Sequence, residues 1–173
     1  MDFEVRTDLS REDFEAYYHF NQKVHAPFVY WFGKIGGIAA IIVALALTID
    51  ILVNRLWTNR EVMTPYCIFI ALLIALPFVN RWMITRLYKA NSSMLKAEYR
   101  FGGSGVRTGT GEASSIYTWS AFRELYHSKG VYYLFIDTNH AMILPERSFT
   151  QGEPAAFGPY MAEKTGQEMK EIK

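Results

Sequence analysis

Between Lys34 and Asp50 the chain reads IGGIAAIIVALALTI (Ile35–Ile49), and between Glu61 and Asn80 it reads VMTPYCIFIALLIALPFV (Val62–Val79). These runs of 15 and 18 uncharged residues decide the architecture. A hydrocarbon core of about 30 Å is crossed by about 20 helical residues. The first run reaches that length when it starts at Phe28, with Lys34 extending its ammonium toward the interface. In the second, Thr64-Pro65 predicts an N-cap followed by Pro at the first helical position. That helix is expected to continue through Trp82, kinked at Pro77. A core helix of a soluble protein keeps a polar face, and neither run has one. Aromatics sit where interfaces belong: Phe28, Tyr30, Trp31 and Phe32 at one end, with Trp57, Tyr66, Phe78 and Trp82 elsewhere.

The loop Asn54–Glu61 is short, so the two spans form an antiparallel transmembrane hairpin. Lys23, Lys34, Arg81, Arg86, Lys89 and Lys96 lie on the terminal side, against Arg55 and Arg60 in the loop. That bias predicts both termini in the cytoplasm. A cleaved leader is not expected, because six acidic residues precede the first span. Gly33, Gly36, Gly37, Ala40 and Ala44 recur at helical spacing. They are candidates for close approach to Ala71 and Ala75, or for pairing with a second copy.

Around the hairpin the pattern changes. Asp2–Thr7 alternates Phe3 and Val5 like a strand, and Ser10 with Asp13 resembles a capping box opening a helix with Phe14, Tyr17, Tyr18 and Asn21 on one face. After Ala90, period-two segments predict strands at Lys96–Phe101, Gly105–Thr110, Ser115–Trp119, Arg123–His127, Val131–Ile136 and His140–Leu144. Turn residues separate them: Gly102-Gly103-Ser104, Gly111-Glu112, Ser128-Lys129-Gly130 and Asp137-Thr138-Asn139. Val131–Ile136 is apolar on both faces and reads as a central strand. Pro145 ends the last strand. A helix within Glu153–Met169 follows, interrupted or restarted at Gly158-Pro159. An isolated strand is not stable, so Asp2–Thr7 is expected to pair with a strand beyond the hairpin. The organisation is therefore residues 1–27 completing a β domain, 28–89 the hairpin, and 90–173 the rest of that domain.

Three stretches carry a family resemblance: Ile116-Tyr117-Thr118-Trp119 with Glu124-Leu125-Tyr126, then Val131-Tyr132-Tyr133-Leu134-Phe135-Ile136, then Ala141-Met142-Ile143-Leu144-Pro145-Glu146-Arg147-Ser148-Phe149. Together with the order of strand, helix, two spans and strand meander, they resemble the YcxB-like bacterial membrane proteins. The resemblance implies a pleckstrin-homology-like cytosolic domain. The expected class is thus an α+β membrane protein, a two-helix hairpin inserted in an antiparallel β domain with a C-terminal helix, in the bacterial inner membrane.

Chemistry is harder to find. The 18 Lys+Arg against 17 Asp+Glu leave a net charge of +1, which offers no nucleic-acid footprint. One cysteine, Cys67, excludes an intramolecular disulfide and a cysteine-based zinc site. Gly102, Gly103, Gly105, Gly109 and Gly111 fit neither a dinucleotide nor a Walker spacing, and hairpin turns account for them. His19, His25, His127 and His140 lack metal-ligand spacing. No cofactor or metal is expected, and no catalytic motif is present. The most informative charges are Arg81, Arg86, Lys89, Lys96 and Arg100, opposed along the chain only by Glu98. They serve positive-inside topology, or hold anionic lipid. The expected function is non-enzymatic binding of a protein partner or anionic headgroups by the cytosolic domain. An immunity protein guarding the inner membrane against a membrane-acting toxin is the alternative of a different class.

Overall fold

Phe3, Val5 and Thr7 turn inward while Arg6 and Asp8 face solvent, the period of two that a half-buried strand requires. In the computed structural model, which describes residues 2–91, 95–110, 113–138 and 140–172, this strand is β1 (Phe3–Asp8). It does not pair locally. Its antiparallel partner is β2 (Lys96–Gly102), in a register that sets Phe3 opposite Phe101 and Asp8 opposite Lys96. From β2 the chain meanders through β3 (Gly105–Thr110) and β4 (Ala113–Tyr117). A short strand, β8 (Phe149–Gln151), closes the other side of β1, giving a five-stranded sheet ordered β4-β3-β2-β1-β8. The expected Gly111-Glu112 turn and Asn139 lie outside the described residues.

The second sheet is the meander β5 (Glu124–Ser128), β6 (Val131–Phe135) and β7 (Ala141–Pro145), extended by a parallel strand β9 (Met169–Glu171) on β5. Lys129 and Gly130, at φ 51° and 73°, supply the two positive values that a two-residue hairpin turn demands. β8 and β9 are additions to the seven expected strands. Each has three residues, too few for any periodicity to register.

Helix α1 (Arg11–His25) opens as the sequence predicts. The Asp13 N–H donates to Ser10 Oγ at 3.2 Å, and the Ser10 N–H donates back to Asp13 Oδ2 at 2.8 Å. Its Phe20 stacks on Tyr133 at 4.3 Å between ring centres, and Tyr17 lies 6.3 Å from Phe135. The second sheet is therefore covered on this face by α1, while its other face joins the main core. That double burial is why Val131–Phe135 is apolar throughout.

The main core gathers Phe3, Val5, Phe101, Leu125, Leu134 and Leu144 beneath a C-terminal helix, here α4 (Pro154–Thr165). The expected break at Gly158-Pro159 does not occur. Pro159 is exposed, and the hydrogen bond it forgoes belongs to Ala155, also exposed, so water can satisfy the freed carbonyl. The buried Phe157 and Met161 tie the helix to the core across that point, and Gly166 ends it at φ 70°.

The chain divides into two compact units, residues 1–21 with 90–173, and residues 22–89. The second contains α2 (Pro27–Val53) and α3 (Arg60–Ala90), both long and apolar enough to cross a membrane. Their apolar side chains are uncovered, with Ile38 62%, Ile42 60%, Leu72 58% and Phe78 69% exposed, unlike the core helices of a soluble fold. Thr64-Pro65 does not start α3. The helix begins a turn earlier, where Asn59 Oδ1 accepts the Glu61 N–H at 3.0 Å. Pro65 sits inside, at the cost of one bond near the helix end. Beyond Pro77 the helix runs past the expected Trp82 to Ala90.

Candidate functional site

The inner face of the five-stranded sheet continues from Ala97 and Tyr99, which belong to the core, to Thr108, Ser115 and Tyr117. These residues form one wall of an open cleft of about 450 Å³. Ile136, Ala141, Met142 and Ile143 of the second sheet form the opposite wall, and Phe14 and Tyr17 of α1 close one side. Leu9 and Leu95 also line the cleft, and the Leu9 N–H donates to the Leu95 carbonyl at 3.1 Å. The cleft therefore lies beside the points where the chain leaves β1 for α1 and enters β2.

Its chemistry is that of a binding surface. Burial pushes the Tyr99 hydroxyl up to about 12, with neighbouring Tyr117 adding to the effect. Burial, then Asp137 and Tyr133, does the same to Tyr17. Both rings stay neutral and can donate a hydrogen bond, but neither offers an oxyanion near neutral pH. At the rim, Asp137 accepts from the His140 backbone N–H at 2.8 Å and meets its Nδ1 at 2.8 Å, fixing the β6–β7 turn. Among the described residues no cluster of His, Cys, Asp or Glu could hold a metal ion. A volume of 450 Å³ falls in the range of about 300–1,000 Å³ typical of ligand sites.

The five basic residues singled out by sequence are divided. Lys96 Nζ pairs with Asp8 at 3.2 Å and Arg100 Nε with Glu4 at 3.3 Å, while Glu98 meets Arg6 at 3.0 Å. These form an alternating ladder on the exposed face of β1 and β2, each rung worth about 0–1 kcal/mol. Counting charge along the chain left only Glu98 in opposition; the pairing of β1 with β2 brings in Glu4 and Asp8 as well. Arg81, Arg86 and Lys89 sit on α3, Arg86 with its guanidinium 5.5 Å from the Trp82 ring. Lys34 lies over Tyr30 at 4.7 Å, which suits a cation at an aromatic belt.

The small-residue stripe is divided within the single chain. A Cβ added at Gly33, Gly36 or Gly37 would meet nothing within 4 Å, and Ala71 and Ala75 are exposed. Ala44 is buried and Ala40 half-buried. The helices are instead joined through side-chain hydrogen bonds, with Thr48 Oγ1 donating to the Ala44 carbonyl at 2.7 Å and Tyr66 Oη donating to Thr48 Oγ1 at 2.7 Å. Side-chain hydrogen bonding links the helices at that point, beside the buried Ala44.

The motif Pro145-Glu146-Arg147-Ser148-Phe149 works as a clamp. Glu146 meets His127 Nε2 at 2.9 Å, Arg147 bonds Asp13 at the start of α1, and Phe149 packs edge-on against Phe157 at 5.1 Å. The other nitrogen of His127 meets Glu171 of β9 at 2.9 Å, and its ring stacks on Tyr132 at 4.3 Å. One short segment thus ties both sheets to α1.

A two-sheet α+β unit, carrying such a clamp and joined to a pair of long apolar helices, defines the class. Residues 101–158, which include the clamp, match the family model for YcxB-like protein. No curated protein and no solved structure matches the chain.

The cleft itself was not legible in the sequence. Tyr17 was visible as part of a helix face and Tyr117 as part of a strand. Their convergence depends on β1 pairing with a strand 90 positions away, as in the Thr7–Ala97 contact.

Proposed function

We propose that this protein is a non-enzymatic binding module anchored in the bacterial inner membrane. Helices α2 and α3 form a transmembrane hairpin with both termini cytoplasmic, and the split β unit is a pleckstrin-homology-like domain that engages a protein partner. The observation that carries this reading is the aromatic cleft between the two sheets. It is concave and lined mostly by uncharged groups, and the chain also carries two helices whose apolar surfaces need a hydrocarbon solvent. Two packed meanders closed by a C-terminal helix support the pleckstrin-homology-like reading.

Headgroup binding draws on less charge than the sequence offered. Lys96 and Arg100 are neutralised by Asp8 and Glu4, which leaves Arg81, Arg86 and Lys89 to attract anionic lipid, each worth about 1 kcal/mol near the surface. We therefore rank protein binding first.

Protease added to spheroplasts carrying the chain tagged at each end should spare both tags. Digestion of either tag from outside overturns the anchoring. Purification from native membranes should then recover a protein at a fixed ratio to the chain, and recovery of lipid alone would favour headgroup binding.

A further inference from the structure

Each sheet has two edges. Two of the four are formed by the three-residue strands β8 and β9; the other two, β4 and β7, have five residues each and border the same cleft. An edge strand presents a row of unpaired N–H and C=O groups, which proteins usually blunt with charge, proline or a covering element. β7 ends in Pro145 and is largely buried. β4 is different. Ser114, Ser115, Ile116 and Tyr117 include no charge and no proline, Ile116 is 64% exposed on the outer face, and Ser115 and Tyr117 point into the cleft. Across from Ile116 in β3 stands Arg107, which has no ion partner among the described residues.

We propose that β4 accepts an extended peptide segment of a partner protein as an additional strand. Its backbone pairs with the open edge, and alternate apolar side chains drop into the cleft beside Tyr117 and Met142. On the outer face, an acidic side chain near Ile116 complements Arg107. A lipid tail would fill the cleft but leave the edge unpaired. A second copy joined through β4 would bring another Arg107 onto the same face of the joined sheet. This inference rests on the binding-module reading and names the partner's form.

The test uses the full chain in lipid nanodiscs and a random peptide library displayed on phage. Selected peptides should carry apolar residues at every second position. Binding of a synthetic selected peptide should fall by at least about tenfold with Ile116→Lys, which blunts the exposed edge, and with Ser115→Trp, which fills the cleft. N-methylation of the peptide at every second residue should abolish binding in one register and spare it in the other, a readout that does not depend on how the protein variants fold. The proposal is overturned if no peptide is selected, if both methylation registers bind alike, or if a concentration-dependent dimer dissolved by Ile116→Lys is found in place of peptide binding. Spheroplast proteolysis reports on the anchor alone, so failure of that reading and failure of this one are separable.

Discussion

Asp13 holds three partners with one carboxylate. It accepts from the Ser10 backbone N–H and hydroxyl, each at 2.8 Å, and from the Arg147 guanidinium. Burial works to raise its pKa, but the bonds to Arg147 and Ser10 outweigh it and hold the carboxyl below its ordinary 3.8. A depressed carboxylate stabilises the fold above its unfolded pKa, and the contribution is lost as pH falls below about 4 through the folded value. Asp13→Ala should lower stability near neutral pH by about 1 kcal/mol, the size of a lost cap. Denaturant titrations of the wild type and the variant should converge on acidification. An unchanged gap at low pH would remove Asp13 from the account.

At the scale of the element, α4 tests the assumption that glycine beside proline marks a break. Gly158 is buried within a continuous helix, and a Cβ there would meet Met169 Cγ at 3.8 Å and Tyr132 Cε1 at 3.9 Å, ordinary contact distances. Glycine costs a helix interior up to about 1 kcal/mol relative to alanine. Gly158→Ala should therefore raise the unfolding midpoint, and a fall would mean that the space is tighter than those distances. Elements with a period were legible in the sequence: the capped start of α1, the central β6, and the alternation of β1 and β2. β8 and β9 were not, because three residues carry no pattern and their pairing is set by strands far along the chain. Pro65 and Pro159 misled for one shared reason. A single forgone hydrogen bond near a helix end or on an exposed face is outweighed by the packing or apolar surface on either side.

For the whole molecule, the decisive feature is that the first strand lies inside a sheet whose other members come after the hairpin. Phe3 and Val5 are each 1% exposed in the core. Truncating one buried Phe costs about 3–5 kcal/mol, against a total stability of about 5–15 kcal/mol for a domain. Deleting residues 1–9 from the full chain should abolish cooperative unfolding of the β unit and make it sensitive to limited proteolysis. A deletion variant that still melted sharply at the wild-type midpoint would show that β1 is dispensable.

The pairing of Thr7 with Ala97, 90 positions later, also has a meaning in time. A ribosome adding about 5–20 residues per second needs roughly 5–20 s to travel from one to the other. During that interval β1 is a synthesised strand with no mate, and both apolar helices are made before its mate exists. The nascent amino terminus must be kept from rival pairings until the second helix has left the ribosome. Closure of the sheet is therefore a late event in biogenesis, and a folded β unit certifies that the intervening helices have already been made.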